Sequence, residues 1–374
     1  MTGGDRQPRH RAADVATADK SDRRHGAIIA FPSSRPRARH VPTTHFKLDF
    51  MLETILCSVP HVASYCRRVS VKLGIMLPVS GVHASPTTIT TIAQAAERLG
   101  YDSLWTYERL LRPMAPLLPG PDGNLERIPD IYHTTFEPLE TLSHVAALTS
   151  RIALGTNIVN PLFHAPVVLA RRYATLDQFS GGRAIAGFGQ GWMPQEFATA
   201  GVPMKRRGAG FDDVIAAIRA CWGADPVEYA GRFYSIEASE INPKPVRGDI
   251  PIVIGANTDG GIDRAARIAD GITPLAWALD TVTAQAERFR TTAERLGRNP
   301  AALTVTAQTN HVMQPKPISG DRPFLAGSPR QLADDIEQLR DRGFDGVLFA
   351  SPPADEIPTQ IEMLDELRSL VPAG

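Results

Sequence analysis

From residue 71 onward, short runs of consecutive apolar residues alternate with longer stretches in which apolar residues recur every three to four positions. A run that is apolar on both faces reads as a strand buried on both sides, and the longer period reads as an amphipathic helix. The runs fall at residues 71–77, 103–105, 151–155, 184–188, 251–254, 271–274, 303–307 and 346–349. The helical stretches fall at 86–99, 137–149, 167–179, 211–222, 262–269, 283–296, 329–342 and 357–370. Gly100 and the pair Gly181-Gly182 stand where two of these helices must stop. A Pro- and Gly-rich loop fills 109–136, and a hairpin is expected around 229–233.

Eight β-then-α units predict a parallel sheet covered by helices, and eight such units close into a (β/α)8 TIM barrel. A doubly wound open sheet is the alternative, since periodicity does not reveal strand order. The first 69 residues stand apart. Residues 1–45 are rich in Arg, Pro, Ser and Thr without periodicity, and they read as disordered. Residues 46–66 are more apolar and suit one short helix. The expected organisation is a disordered or loosely docked extension over 1–69 and a barrel over 70–374.

Composition narrows the function. Forty Lys and Arg balance forty Asp and Glu, which argues against a nucleic-acid partner. No run of 18 or more apolar residues is present, so no membrane span is expected. Three cysteines, an odd number without metal-ligand spacing, fit a reducing, cytoplasmic compartment. Ser21-Asp22-Arg23-Arg24 has the look of an export signal, but the apolar run behind it is too short and ends at Pro32. No Cys-x-x-Cys or His-Glu-x-x-His occurs, so no metal site is expected. No Gly-x-Ser-x-Gly elbow and no Lys at a strand end in the body speak for a serine hydrolase or a Schiff-base aldolase.

In such a barrel the chemistry sits at the C-terminal ends of the strands. After the second run stand Glu108 and Arg109, a carboxylate and a cation that suit either a barrel-mouth site or a plain surface ion pair. After the third stand Asn157 and Ile158, and after the fourth Gly189-Gln190-Gly191-Trp192. Close glycines let a backbone approach an anion, and they also suit an ordinary tight turn. After the fifth, Gly255-Ala256-Asn257-Thr258 leads into a helix, either a phosphate seat or a capped loop. His133, His144 and His164 are singles without a pattern. A phosphate-binding isomerase or lyase barrel would want glycines after the last strand, where Ser351-Pro352-Pro353 stands instead.

Five segments taken together carry a resemblance: Ala95 to Trp105, Leu154 to Ile158, Ala174 to Arg183, Gly187 to Trp192 followed by Glu196-Phe197, and Ala265 to Gly271. In this order they resemble the luciferase-like monooxygenase family, and more narrowly its actinobacterial deazaflavin-dependent branch. The resemblance implies an oxidoreductase that moves a hydride between coenzyme F420 and a small organic substrate. The alternatives are an FMN-dependent monooxygenase using oxygen and a flavin-binding barrel without catalysis. It implies Glu108 as the catalytic acid beside the ring; Arg109, a departure from the family pattern, is expected to bind an anionic group of the substrate or cofactor. It further implies cofactor contacts from Asn157, Ile158, Gly189, Gln190, Gly191, Trp192, Gly255, Ala256, Asn257 and Thr258. Many relatives carry Asp-His where this chain has Glu108-Arg109, which removes a proton-transferring His from that position. The resemblance also implies a cis peptide at Asn157–Ile158 and is compatible with a homodimer.

Overall fold

The computed structural model describes residues 70–115, 117–119, 124–351 and 356–372. The extension expected over 1–69 lies outside the described residues. Eight parallel strands close into a barrel: β1 Lys72–Met76, β2 Ser103–Thr106, β3 Ala153–Thr156, β4 Ala184–Phe188, β5 Ile252–Ile254, β6 Gly271–Ile272, β7 Thr304–Gln308 and β8 Gly346–Phe349. Each pairs with its neighbours in sequence, and β8 closes on β1 with Lys72 opposite Gly346. The open-sheet alternative is thereby set aside.

Helices follow the strands: α1 Pro86–Leu99, α2 Pro138–Leu148, α3 Pro166–Ser180, α4 Pro194–Thr199, α5 Ala209–Trp222, α6 Asp259–Ile268, α7 Leu279–Arg295, α8 Pro329–Asp341 and α9 Ile357–Leu370. α1 opens on a Ser85 capping box and closes on Gly100 at φ 80°. α4 escaped the sequence reading, because six residues hold too few turns for a period to show. α6 and α7 begin three and four residues before their expected starts, since periodicity marks the buried face and misses an exposed first turn. β6 keeps two residues of an expected four, ending ahead of Pro274, which has no N–H to donate.

Side chains alternate along the strands. Leu73, Leu104, Leu154, Ile252, Val305 and Val347 join the apolar layer shared with the helices. Met76, Trp105, Val253 and Leu348 form a second cluster inside the barrel. Trp105 needs bare backbone on both sides. A Cβ on Gly155 would stand 2.4 Å from its ring, and one on Gly74 2.8 Å from its Nε1. At the opposite end, three aspartates that each precede a strand reach back to the strand before. Asp102 accepts from Leu73 N–H (2.8 Å), Asp270 from Ile252 N–H (2.8 Å) and Asp345 from Val305 N–H (2.7 Å).

The ladder breaks once where it matters for the mouth. β3 and β4 pair as far as Gly155 opposite Ile185. Pairing resumes at Val159, whose N–H donates to Gly187 O (2.9 Å). Between them the Thr156 hydroxyl accepts from Gly187 N–H (2.9 Å) and lies 2.8 Å from Gly187 O. Buried Tyr173 meets the same hydroxyl at 2.7 Å. Asn157 and Ile158 therefore leave the β3–β4 ladder and bulge into the barrel mouth. The peptide between them is cis. Among the described residues no helix is long and apolar enough to cross a membrane.

Two outcomes are expected from this packing. Trp105→Ala empties the barrel interior and costs about 3–5 kcal/mol in denaturant unfolding; a loss below about 1 kcal/mol would show that the indole is not part of the core. Thr156→Val leaves Gly187 N–H buried without a partner and costs about 1–3 kcal/mol, while Thr156→Ser recovers most of it. Equal stability of the Val and Ser variants would remove the hydroxyl from the account of the bulge.

Candidate active site at the barrel mouth

A cavity of about 420 Å³ opens at the C-terminal ends of the strands, within the ~300–1,000 Å³ typical of small-molecule sites. Of the residues singled out from the sequence, Glu108, Arg109, Asn157, Ile158, Gly191 and Trp192 line it together. Gly189, Gln190, Gly255, Ala256, Asn257 and Thr258 do not.

The second group shapes the wall from behind. Gly189 and Gly255 make room for Ile158. A Cβ on Gly189 would lie 2.6 Å from Ile158 Cγ1, and one on Gly255 3.0 Å from Ile158 Cγ2. Their N–H groups are already engaged, Gly189 with Val159 O (3.1 Å) and Gly255 with Phe188 O (3.0 Å). Gln190 donates to the carbonyl of Arg207. Ala256 is buried. Asn257 accepts from Leu275 N–H (2.7 Å), tying two βα loops together. The Thr258 hydroxyl caps α6 by accepting from Gly261 N–H (3.3 Å). Asp259 in that first turn pairs with Arg288 (3.0 Å) and places a carboxylate where an anion seat would want none.

The bulge presents a polar face. Asn157 Oδ1 accepts from the Thr273 hydroxyl (2.7 Å), and Asn157 Nδ2 donates to Gln308 Oε1 (2.7 Å). Gln308 Nε2 continues the chain to Asn310 Oδ1 (3.2 Å). These contacts lock the amides in place from three strands and leave each with hydrogen-bonding capacity toward the cavity. Thr273 and Gln308 had no sequence signal, because a lone polar residue inside an apolar run, or just past its end, looks like an ordinary strand residue.

Glu108 and Arg109 do not pair with each other, so the plain surface ion pair considered from sequence is replaced by two separate contacts. Glu108 Oε1 lies 2.6 Å from His164 Nε2, and Oε2 accepts from Asn160 N–H (2.9 Å). The Glu108 side chain is 5% exposed. A histidine does stand beside this carboxylate, supplied by the loop after β3 and not by the position after Glu108. Arg109 turns the other way, to Glu196 Oε2 at 3.2 Å. Its guanidinium lies 4.8 Å from the Tyr132 ring centroid and 5.7 Å from that of Trp192. Burial pushes the Glu196 carboxyl up, and Arg109 with the Leu110 N–H pulls it down in part. Burial likewise pushes the Tyr107 hydroxyl up to about 12.

Two nitrogens of lining residues, Asn160 Nδ2 and Arg109 Nε, are buried without a hydrogen-bond partner. Gly191, at φ 66°, sits against the first of them: its missing Cβ would lie 2.5 Å from Asn160 Nδ2. Unpartnered donors beside a bare backbone position, in a cavity lined also by amides and aromatic rings, fit a flat, polar-edged ring system with an acceptor-bearing side chain. Among the described residues no group of His, Cys, Asp and Glu is placed to hold a metal.

An uncharacterized protein of Mycobacterium tuberculosis is 35% identical over 186 residues, 49% of this chain and 66% of that protein. An F420-dependent glucose-6-phosphate dehydrogenase of Amycolatopsis mediterranei is 29% identical over 192 residues, 50% of this chain and 52% of that enzyme. The chain thus spans between half and two thirds of the length of these curated relatives. The solved structure of the coenzyme F420-dependent tetrahydromethanopterin reductase from Methanopyrus kandleri superposes with a TM-score of 0.65 at 21% identity, over 81% of this chain and all of that one. The sequence model of the luciferase-like monooxygenases matches residues 71–317, from the start of β1 to beyond β7, and on that match this chain belongs to the luciferase-like monooxygenase family.

Proposed function

We propose that this chain is an oxidoreductase that exchanges a hydride between deazaflavin coenzyme F420 and a small organic molecule at the barrel mouth. The observation that carries the reading is the walled cavity into which β3 bulges at Asn157–Ile158, with unpartnered donors at its edge. The F420-dependent relative from Amycolatopsis supports the choice of coenzyme. Asn157, Ile158, Gly191 and Trp192 are the residues that would hold it. When bound, a deazaflavin supplies two-electron hydride chemistry, having carbon at the position where a flavin has its oxygen-reactive nitrogen.

The protein's own contribution is positioning, water exclusion and proton handling. Ile158 offers an apolar face fixed from below by Gly189 and Gly255. The Asn157–Gln308–Asn310 amides orient polar ring edges. Glu108 is the carboxylate placed at the cavity to take or give a proton, with its two oxygens held by His164 and the Asn160 N–H. Arg109, paired with Glu196, orients the substrate through hydrogen bonds more than through net charge. The family's monooxygenase members keep FMN as the second reading.

Fluorescence titration with oxidised F420 and with FMN decides between them. F420 is expected to bind at least about tenfold tighter, roughly 1.4 kcal/mol; preference for FMN would transfer the assignment to flavin chemistry. A matched pair of glycine variants then tests the cavity. Gly191→Ala and Gly201→Ala both force a Cβ onto positive φ (66° and 67°), but only the first meets a neighbour within 4 Å. Both should lose about 1–2 kcal/mol of stability, and only Gly191→Ala should weaken F420 binding, by about tenfold or more. Equal affinities in the two variants would move the coenzyme away from Gly191.

A further inference from the structure

Immediately beyond the cavity rim lies an uncompensated patch of positive charge. Met204–Arg207 forms a single 3-10 turn between α4 and α5 that carries Lys205, Arg206 and Arg207 in succession. Nearly all the neighbouring charge is paired: Asp212 holds Arg264 (2.8 Å) and Arg267 (2.7 Å). Asp213 is saturated by the Tyr229 hydroxyl and the N–H groups of Arg232, Phe233 and Tyr234. Among the described residues none of the three cations of the turn forms an ion pair with a carboxylate. Arg206 stacks its guanidinium 4.4 Å from the Phe233 centroid and 5.0 Å from that of Tyr234. Its Nε and Nη2, and the Nε of Arg207, are buried without a hydrogen-bond partner.

The patch is physically joined to the cavity. Gln190 donates its side-chain N–H to the Arg207 carbonyl, and the next two residues, Gly191 and Trp192, line the cavity. The turn thus adjoins the 190–192 segment of the cavity wall. Charges that no protein group neutralises, placed beside a small-molecule site, attract an anionic extension of the ligand.

We infer that the Lys205–Arg206–Arg207 turn binds the anionic tail of the coenzyme. This rests on the F420 assignment above. That coenzyme carries a phosphodiester followed by glutamyl carboxylates on the chain attached to its ring, while FMN carries one terminal phosphate. Three consecutive cations, two of them with buried unpartnered nitrogens, suit several anionic groups in line better than one. Stacking on Phe233 and Tyr234 holds Arg206 in place before the ligand arrives, which lowers the entropy lost on binding.

The test measures affinity only, by fluorescence, on the full chain. The ligands are F420, its tailless ring alcohol, FMN and riboflavin, each at low and high salt. F420 should bind at least about tenfold tighter than the tailless form at low salt, and the gap should narrow at high salt as the charges are screened. In the Lys205→Gln/Arg207→Gln variant, with its circular dichroism unchanged, F420 should fall to the affinity of the tailless form. Equal binding of F420 and the tailless form by the unaltered protein would overturn the inference and leave the coenzyme assignment standing. So would an equal loss of both ligands in the variant, since the turn would then act through the fold. Discrimination of FMN from riboflavin without discrimination of F420 from its tailless form would assign the turn to a single phosphate and overturn the tail. Failure of both deazaflavins to bind would refute the coenzyme assignment itself.

Discussion

One hydroxyl holds the arrangement on which the mouth depends. Parallel strands normally exchange hydrogen bonds evenly along their length, and a residue that leaves the ladder strands the neighbour's N–H and C=O. Here Thr156 supplies a side-chain oxygen where β3 stops supplying backbone, and it takes the Gly187 N–H, while the Gly187 carbonyl is met by the Val159 N–H as the ladder resumes. That substitution lets Asn157 and Ile158 turn into the cavity while β3 and β4 remain a closed wall. The glycines at 189 and 255 follow from it, since a side chain at either would occupy the space that Ile158 takes. Thr273 and Gln308 follow too, because a buried amide at Asn157 needs partners for both its ends.

This dependence explains which parts were legible in the sequence. Strand and helix order came through because burial on two faces against burial on one leaves different periods, and these survive without knowledge of any contact. The cluster at the mouth came through only in part. Glu108 and Asn157 could be placed at strand ends, but the partners that give them a role lie 56 and 151 positions away. Nothing local in His164 or Gln308 marks them. The glycines illustrate the converse. Gly189 and Gly255 were visible as small residues near a strand end, and small residues suit an anion and a neighbouring side chain equally well. Their engaged N–H groups and the nearness of Ile158 favour the side chain. Glu196 was visible within the resembling segment yet carried no role until Arg109 was found turned toward it.

The divergence of Glu108 and Arg109 has a simple geometric origin. Successive residues of an extended segment point to opposite sides. Glu108 faces the loop after β3, where His164 and the Asn160 N–H lie, and Arg109 faces α4, where Glu196 lies. Two adjacent opposite charges are thereby kept from neutralising each other. Each instead acquires a fixed orientation and a separate station on the same cavity, which is what a site needs if one group is to handle a proton and the other to hold a substrate.

Stability and chemistry are also kept apart along the barrel axis. Asp102, Asp270 and Asp345 clamp the starts of β1, β5 and β7 at the end away from the cavity, each accepting a strand N–H that would otherwise lack a partner. The interior between the two ends is filled by Trp105, Met76, Val253 and Leu348. With the floor fixed by carboxylates and the bore filled by apolar side chains, the mouth can hold unpartnered donors at Asn160 and Arg109 and a bulge in β3 without loosening the barrel. The same separation accounts for the aspartates appearing inside the resembling segments, at Tyr101-Asp102-Ser103 and Ala269-Asp270-Gly271, although none of them touches the cavity. Part of the signal that points to the family is thus carried by residues that close the barrel, and the residues that line its mouth are the less patterned ones.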